Sequence, residues 1–517
     1  MPQAMERAVA AYHGGNWKEA ERLCRLILDT QADFFDALHF LGIIAAQTGR
    51  AKEAAELLSR AVAIHPNHPQ AHNNLGNVLR DLKRPAEALQ SYDRALAIKR
   101  DYAEALSNRG NALVDLNRHH EALQSYDRAL GIRPNYPEAL NNRAGALRAL
   151  NRHAEALQNY DRALAIKPDY AEGLFNRGRA LCDLRRPDEA IRSYDRALEI
   201  SPDHRSARSA RALCLLQVGD FARGWPEYES RWTNEDPSKN LRTLAQPAWL
   251  GREPLEGKTI LLHAEQGFGD TLQFCRYAAK VAALGAKVIL EVQPQLLPVL
   301  ARLEGATQVM PRGATLPAFD CHCPLLSLPL AFKTEMHTIP ADVPYIRSEA
   351  TRVDTWRERL GKTTRPRVGV AWSGTMVDPN RALALAQVLP LMSDRFEWVS
   401  LQKEVPETDA DLLASRPDIR HFGDRLQDFA DTAALVELMD VVISVDTAVA
   451  HLAGAMGKVL WLLLQFNADW RWLLDREDSV WYPTARLFRQ PAIGDWTSVI
   501  DRVRLELPQH FRVQSNR

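Results

Sequence analysis

The sequence predicts an α-helical solenoid followed by an α/β region, and two observations carry that reading. The tetrapeptide YDRA begins at Tyr92, Tyr126, Tyr160 and Tyr194, a constant step of 34 residues that marks a stacked helical repeat. Beyond Trp232 the step is lost, and short apolar runs alternate with helical patterns, as expected for parallel strands joined by crossover helices. At 517 residues the chain exceeds the roughly 250 to 300 residues at which one core stops growing, so two or more domains are expected.

Composition narrows the function classes. An apolar fraction of 46% with 25% charged residues is ordinary for a globular chain. Lys plus Arg and Asp plus Glu are equal at 65 each, so no bulk basic field draws nucleic acid, which is not an expected partner. The first residues lack the continuous apolar core of a secretory signal, and a cytoplasmic location is expected. The most apolar run, Val459 to Leu464, is far shorter than the roughly 20 residues of a membrane span and reads as a buried strand. Six scattered cysteines read as free thiols in a reducing compartment.

The 34-residue step reaches back to Leu58 and Cys24 and forward to Tyr228, implying about seven units. Within a unit, Gly110, Ala122 and Ala129 fall where two antiparallel helices approach closely, Leu106, Leu113 and Tyr126 fill the space between them, and Pro134 closes the unit. This pattern resembles the tetratricopeptide repeat over residues 5 to 232. Such units stack into an array with a groove for a protein or peptide partner. Asn74, Asn108, Asn142 and Asn176 recur on the first helix of successive units, while Phe40 and Ala210 hold the same register outside them. Carboxamides carry both donor and acceptor and can grip a peptide backbone, or they can form a solvated face copied with the repeat. Resemblance to the arrays of protein O-linked N-acetylglucosamine transferases implies the gripping role.

The polar, proline-punctuated stretch after Trp232 reads as a linker. The expected divisions are an array over 1–232, a linker over 233–257, one α/β half over 258–364 and a second over 365–517. Two Rossmann-like halves account for the alternation, with substrates in the cleft at the carboxyl ends of the strands.

Three segments carry candidate chemistry. In HAEQGFGDTLQF a strand runs into Gly269 and Asp270 before a helix expected to open at Thr271, so Asp270 either caps that helix or faces the cleft as a general base. In SVDTAVAHLAGAMG a strand is followed by Asp446 and Thr447 at a helix start, with His451 one turn on; this is an anion site or a capped core helix with a satisfied histidine. The loop AWSGTMVDPNRAL offers Ser373, Gly374 and the cation Arg381, which is a phosphate ligand or a solvated loop residue. Gln402 and Lys403, after a further strand, either contact a nucleotide or lie on the surface. Cys321, His322 and Cys323 are not expected to bind metal, since strand alternation sends His322 to the face opposite its neighbours.

Together these segments resemble the inverting, heptosyltransferase-like glycosyltransferases of the two-Rossmann (GT-B) type over residues 258 to 500, through the Gly-Asp after the first strand and the Asp-Thr-x-x-x-His-Leu-Ala motif. Arg381 stands only near the place of that family's phosphate-binding lysine. The resemblance implies Asp270 as base and Asp446, Thr447 and His451 in the donor-binding motif, and Ser373, Gly374, Arg381, Gln402 and Lys403 join them as donor-side candidates from their own positions. It further implies a nucleotide-diphosphate sugar as co-substrate and no metal or other cofactor. The expected function is transfer of a sugar to a protein Ser or Thr held by the array. The alternatives are a glycan or lipid-linked acceptor, and a non-catalytic scaffold with a degenerate nucleotide-binding domain. The trailing segment DWRWLLDREDSVWYP reads as packing through its tryptophans.

Overall fold

A computed structural model describes residues 2–233, 244–374 and 381–515. Residues 234–243 of the expected linker and residues 375–380 of the loop between Gly374 and Arg381 lie outside the described residues. The chain divides into two bodies, Met1–His204 and Arg205–Arg517.

The first body is built from helical pairs: Pro2–His13 with Trp17–Thr30, Phe35–Gln47 with Ala51–Ile64, and Pro69–Asp81 with Pro85–Ile98. Ala103–Asp115 with His119–Ile132, Pro137–Ala149 with His153–Ile166, and Ala171–Asp183 with Pro187–Ile200 follow. Each pair turns on one left-handed residue, and these fall at 34-residue steps: Gly15, Gly49, Lys83, Asn117, Asn151 and Arg185, with φ between 54° and 79°. Around Asn117 the amide of Arg118 reaches back to Leu113 O at 2.8 Å, which satisfies a carbonyl the helix end would otherwise leave open.

Between the helices of a pair, a tyrosine ring lies flat against the partner backbone. A Cβ on Gly110 would stand 2.5 Å from the Tyr126 ring, one on Gly76 2.5 Å from Tyr92 and one on Gly178 2.4 Å from Tyr194. Ala144 takes this position opposite Tyr160. Successive pairs are stitched by arginines at the same step. Arg109 bonds Asp93 of the preceding pair at 2.7 Å and Ser125 of its own, and Arg143 and Arg177 repeat the pattern with Asp127 and Asp161.

The second body opens with one more helical pair, Arg205–Gln217 and Phe221–Tyr228, turning on Gly219 (φ 82°), again 34 residues after Arg185. The period therefore runs to the expected end of the array, but this last pair belongs to the α/β body. Gln217 donates to Asn467 Oδ1 and Ala468 O, each at 2.9 Å, and the Trp225 indole N–H donates to Thr334 O at 2.9 Å.

Two parallel sheets follow. The first contains β1 (Thr259–His263), β2 (Lys287–Val292), β3 (Gln308–Pro311) and β4 (Cys321–Pro324), in the order β3-β2-β1-β4. The second contains β5 (Arg367–Ala371), β6 (Glu397–Ser400), β7 (Ile419–His421), β8 (Val441–Val445), β9 (Leu460–Leu464) and β10 (Ala485–Arg489), in the order β10-β9-β8-β5-β6-β7. Strands such as β8 and β9 are buried at every residue, which is why they read as unbroken apolar runs. In both sheets the strand order reverses beside the first strand, β1 or β5, the point at whose carboxyl ends open α/β sheets place their ligands.

Candidate functional site

The chain leaves β1 and enters the helix Phe268–Phe274, three residues earlier than the expected opening at Thr271. The correction has a local cause: Asp270 sits in the first turn and its Oδ2 accepts the backbone N–H of Gly267 at 2.9 Å, which nucleates the helix ahead of it. Asp270 therefore does cap, but with one oxygen only. Its Oδ1 accepts from the Arg471 guanidinium.

On the second sheet, β8 runs into Asp446 and Thr447, and Thr447 is the N-cap of the helix Ala448–Ala455. Its hydroxyl makes no cap bond and instead meets Ser444 Oγ at 3.1 Å. His451, one turn later, stacks on Trp472 and shares a 2.9 Å hydrogen bond through Nδ1 with the Tyr482 hydroxyl. Burial, reinforced by the nearby Arg471 charge, drives its pKa down to about 3, so the ring is neutral at physiological pH. His451 can donate to an anion only as a neutral group.

Between the two sheets the charged side chains alternate in sign. Arg471 bridges Asp270 and Asp469, the latter at 2.8 Å, and Arg381 pairs with Asp446 while its guanidinium stands 3.7 Å from Asp469. Burial raises the proton affinity of Asp270 against the pull of Arg471, and raises that of Asp446 against the pull of Arg381. Burial acts on Asp469 in the same sense, but Arg471 and Arg381 outweigh it and hold that carboxyl below its ordinary value. The space lined by Arg381, Asp446 and Asp469 is closed to a molecule the size of water.

The remaining donor-side candidates lie at the ends of β5 and β6. The Gln402 carboxamide donates to Ser373 Oγ at 2.8 Å and to Glu404 O at 3.0 Å, so it ties the two strand ends together. Lys403 is exposed and donates to Gln427 O at 3.0 Å. Gly374 brings the β5 loop against Thr447, where a Cβ would stand 2.9 Å from the threonine methyl. The structure thus gathers Asp270, Arg381, Asp446 and His451 around Asp469 and Arg471, while Gln402 is engaged with Ser373 and Lys403 with Gln427.

In the array the four asparagines lie half-buried in the seams between first helices. Asn74 bonds His39 at 3.0 Å, Asn108 donates to Asn73 at 3.0 Å, Asn142 to Asn111 at 3.0 Å and Asn176 to Asn141 at 3.2 Å. The amide N–H groups are thereby used between repeats. A separate groove of about 1150 Å³ runs between the helices Ala51–Ile64 and Pro85–Ile98, over Leu75 and Leu79, and none of the four asparagines lines it.

Cys321 and Cys323 are buried on β4, and His322 points the other way to meet His263 at 3.2 Å. Among the described residues no two cysteines form a disulfide, and no group of three or more metal-ligating side chains comes together. No described helix is long and apolar enough to cross a membrane.

Sequence reasoning passed over Asp469, Arg471 and Arg276. Their signal was charge inside an aromatic run: a guanidinium among buried tryptophans has to find partners. Arg276 finds them in Gln273 O, Pro340 O, Trp481 O and the Tyr345 hydroxyl. The tryptophans of the trailing segment, Trp470, Trp472 and Trp481, are buried.

Comparison with known proteins bears on the first body. The tetratricopeptide repeat family matches residues 33–101 and 68–135, 107–171, and 171–204. Protein FlbA of Caulobacter vibrioides is 25% identical over 324 residues, covering 57% of this chain; the chain spans about half (53%) of that relative's length. Among solved structures, a tetratricopeptide repeat protein of Parabacteroides merdae is 16% identical, with a TM-score of 0.40 over 46% of this chain and 94% of that one. YrrB, described as a repeat protein with an unusual peptide-binding site, is 20% identical, with a TM-score of 0.31 over 37% of this chain and 98% of that one. Residues 33–204 are tetratricopeptide repeats, and they are followed by an α/β body of parallel sheets.

Proposed function

We propose that the α/β body is an inverting glycosyltransferase of the two-Rossmann, GT-B type, which moves a sugar from a nucleotide diphosphate to a Ser or Thr hydroxyl of a protein held by the repeat array. The observation that carries this reading is the approach of Asp270, beyond the carboxyl end of β1, to the Asp446–Thr447–His451 helix start beyond β8. In sequence order each sheet has its strands arranged 3-2-1-4 around the reversal point, the order found in nucleotide-binding halves. Asp270 has a raised proton affinity from burial, as suits a base that takes a proton from an attacking hydroxyl. The departing diphosphate would meet the helix start at Thr447, the neutral N–H of His451 and the cation Arg381. In the array, the amide nitrogens of Asn74, Asn108 and Asn176 bond between repeats, so a grip on peptide N–H groups would fall to their carbonyl oxygens.

A non-catalytic scaffold is the second reading. It is favoured by the pairing of Arg381 with Asp446 and the closed space beside them. Assay of the purified chain with nucleotide-diphosphate sugars and a Ser/Thr peptide library separates the two. Transfer that is lost in Asp270→Ala supports the enzyme, and transfer unchanged in a folded Asp270→Ala rules out this base.

A further inference from the structure

We propose that Arg471 is the positioning residue for Asp270, so that Asp270, Arg471 and Asp469 work as one unit. The inference rests on the transferase reading for what Asp270 does, whereas the geometry stands apart from it. Arg471 lies 201 residues beyond Asp270 and is 8% exposed, and each nitrogen of its guanidinium has a side-chain partner. One terminal nitrogen meets Asp270 Oδ1, the other donates to Asp469 Oδ1 at 2.8 Å, and Nε donates to Gln273 Oε1 at 2.8 Å. Asp270 and Gln273 are one turn apart on the helix Phe268–Phe274, so the arginine is seated on that helix at two points. A planar fork spreads these three bonds over three nitrogens in fixed directions, whereas a lysine gathers its donors at one point.

The arginine is itself held in place. Asp469 accepts the backbone N–H of Arg471 at 3.1 Å and so caps the short turn Trp470–Trp472. The Trp470 ring lies 4.3 Å from the guanidinium carbon. Leu473, which ends the turn, takes a left-handed φ of 54°, a conformation an L residue keeps only where its surroundings dictate it. Asp270 keeps 19% of its side-chain surface while its arginine keeps 8%. Its two inward directions are filled by Arg471 and the Gly267 N–H, which leaves its open side in a set direction.

The charged and titratable groups facing Asp270 are Arg471 and Asp469 on the trailing segment, Arg381 on the β5 loop, neutral His451 behind Gly269, and Tyr228 on the last helical pair. Arg471 is the largest counterweight to burial among them. Without it the effect of burial would be less opposed, and the proton affinity of the carboxyl would rise further.

The test uses the full-length protein as wild type, Arg471→Met and Arg471→Lys. The carboxyl of Asp270 is followed by isotope-edited difference infrared titration, its band identified by loss in Asp270→Asn. The expected result is a midpoint raised by about one unit or more in Arg471→Met and by a smaller step in Arg471→Lys. The acid limb of kcat for sugar transfer should move the same way with KM little changed. Should Arg471→Met not fold, Arg471→Lys carries the test, because it keeps the charge and loses the fork. An unmoved Asp270 midpoint in a folded variant, or a rate loss uniform across pH, overturns the proposal. Absence of transfer by the wild type would defeat the glycosyltransferase reading instead, and the infrared shift would still decide the role of Arg471.

Discussion

Gly269 packs so closely on His451 that a Cβ at this position would stand 2.6 Å from the imidazole Cδ2. The contact locks the helix that carries Asp270 to the helix that Thr447 begins, so the spacing of the two candidate groups depends on a missing side chain. The obstruction is a buried ring hydrogen-bonded to Tyr482 and stacked on Trp472, and it has little room to give. Gly269→Ala is expected to cost about 1 to 3 kcal/mol of stability by overpacking, read as a lowered midpoint of denaturant unfolding. An unchanged midpoint would mean that the two helices separate easily.

The buried neutral state of His451 makes stability depend on pH in a definite sense. Its folded pKa is depressed to about 3, so between the ordinary imidazole value and that point the unfolded chain binds the extra proton and stability falls as pH falls. Between pH 7 and pH 5 the wild type should lose about 2 kcal/mol more than His451→Gln, measured by denaturant unfolding at each pH. Parallel pH profiles of the two proteins would show the histidine to be more open to solvent than its packing indicates.

Within the array, Lys83 occupies a left-handed turn position that Gly15, Gly49 and Gly219 fill elsewhere. Lys83→Gly should raise stability by about 0.5 to 1 kcal/mol, the relief of backbone strain exceeding the entropy a glycine adds to the unfolded chain. Gly110→Val should act the other way, because the Tyr126 ring fills the space. A loss of about 1 to 3 kcal/mol is expected, seen as a lowered thermal midpoint.

The repeat was readable because each unit restates the same local chemistry, small residues facing a tyrosine, with YDRA returning at a constant step of 34 residues. The turns at Lys83 and Arg185 gave no such sign, since neither side chain favours a positive φ. The parallel strands were readable as apolar runs because they are buried on both faces, but their order was not, because crossover connections decide which strands become neighbours. The period ran past the boundary between the bodies because the pair Arg205–Gln217 and Phe221–Tyr228 has the repeat's turn while its side chains bond the α/β part. Asp270 and Arg471 could not be paired from sequence at a separation of 201 residues. Gln402, a donor-side candidate from its place just after a strand, forms its bonds with Ser373 and Glu404, and nothing in its strand context marks that preference.

The central claim is that the α/β body holds a nucleotide diphosphate between Arg381, His451 and the helix start at Thr447. The most direct measurement is isothermal calorimetry of the purified protein with a panel of nucleoside diphosphates, repeated on Arg381→Ala and His451→Ala. The account predicts selective binding of one base, weakened roughly tenfold or more by the loss of the charged partner in Arg381→Ala and measurably by His451→Ala. Binding of none of the panel would contradict it and favour the scaffold.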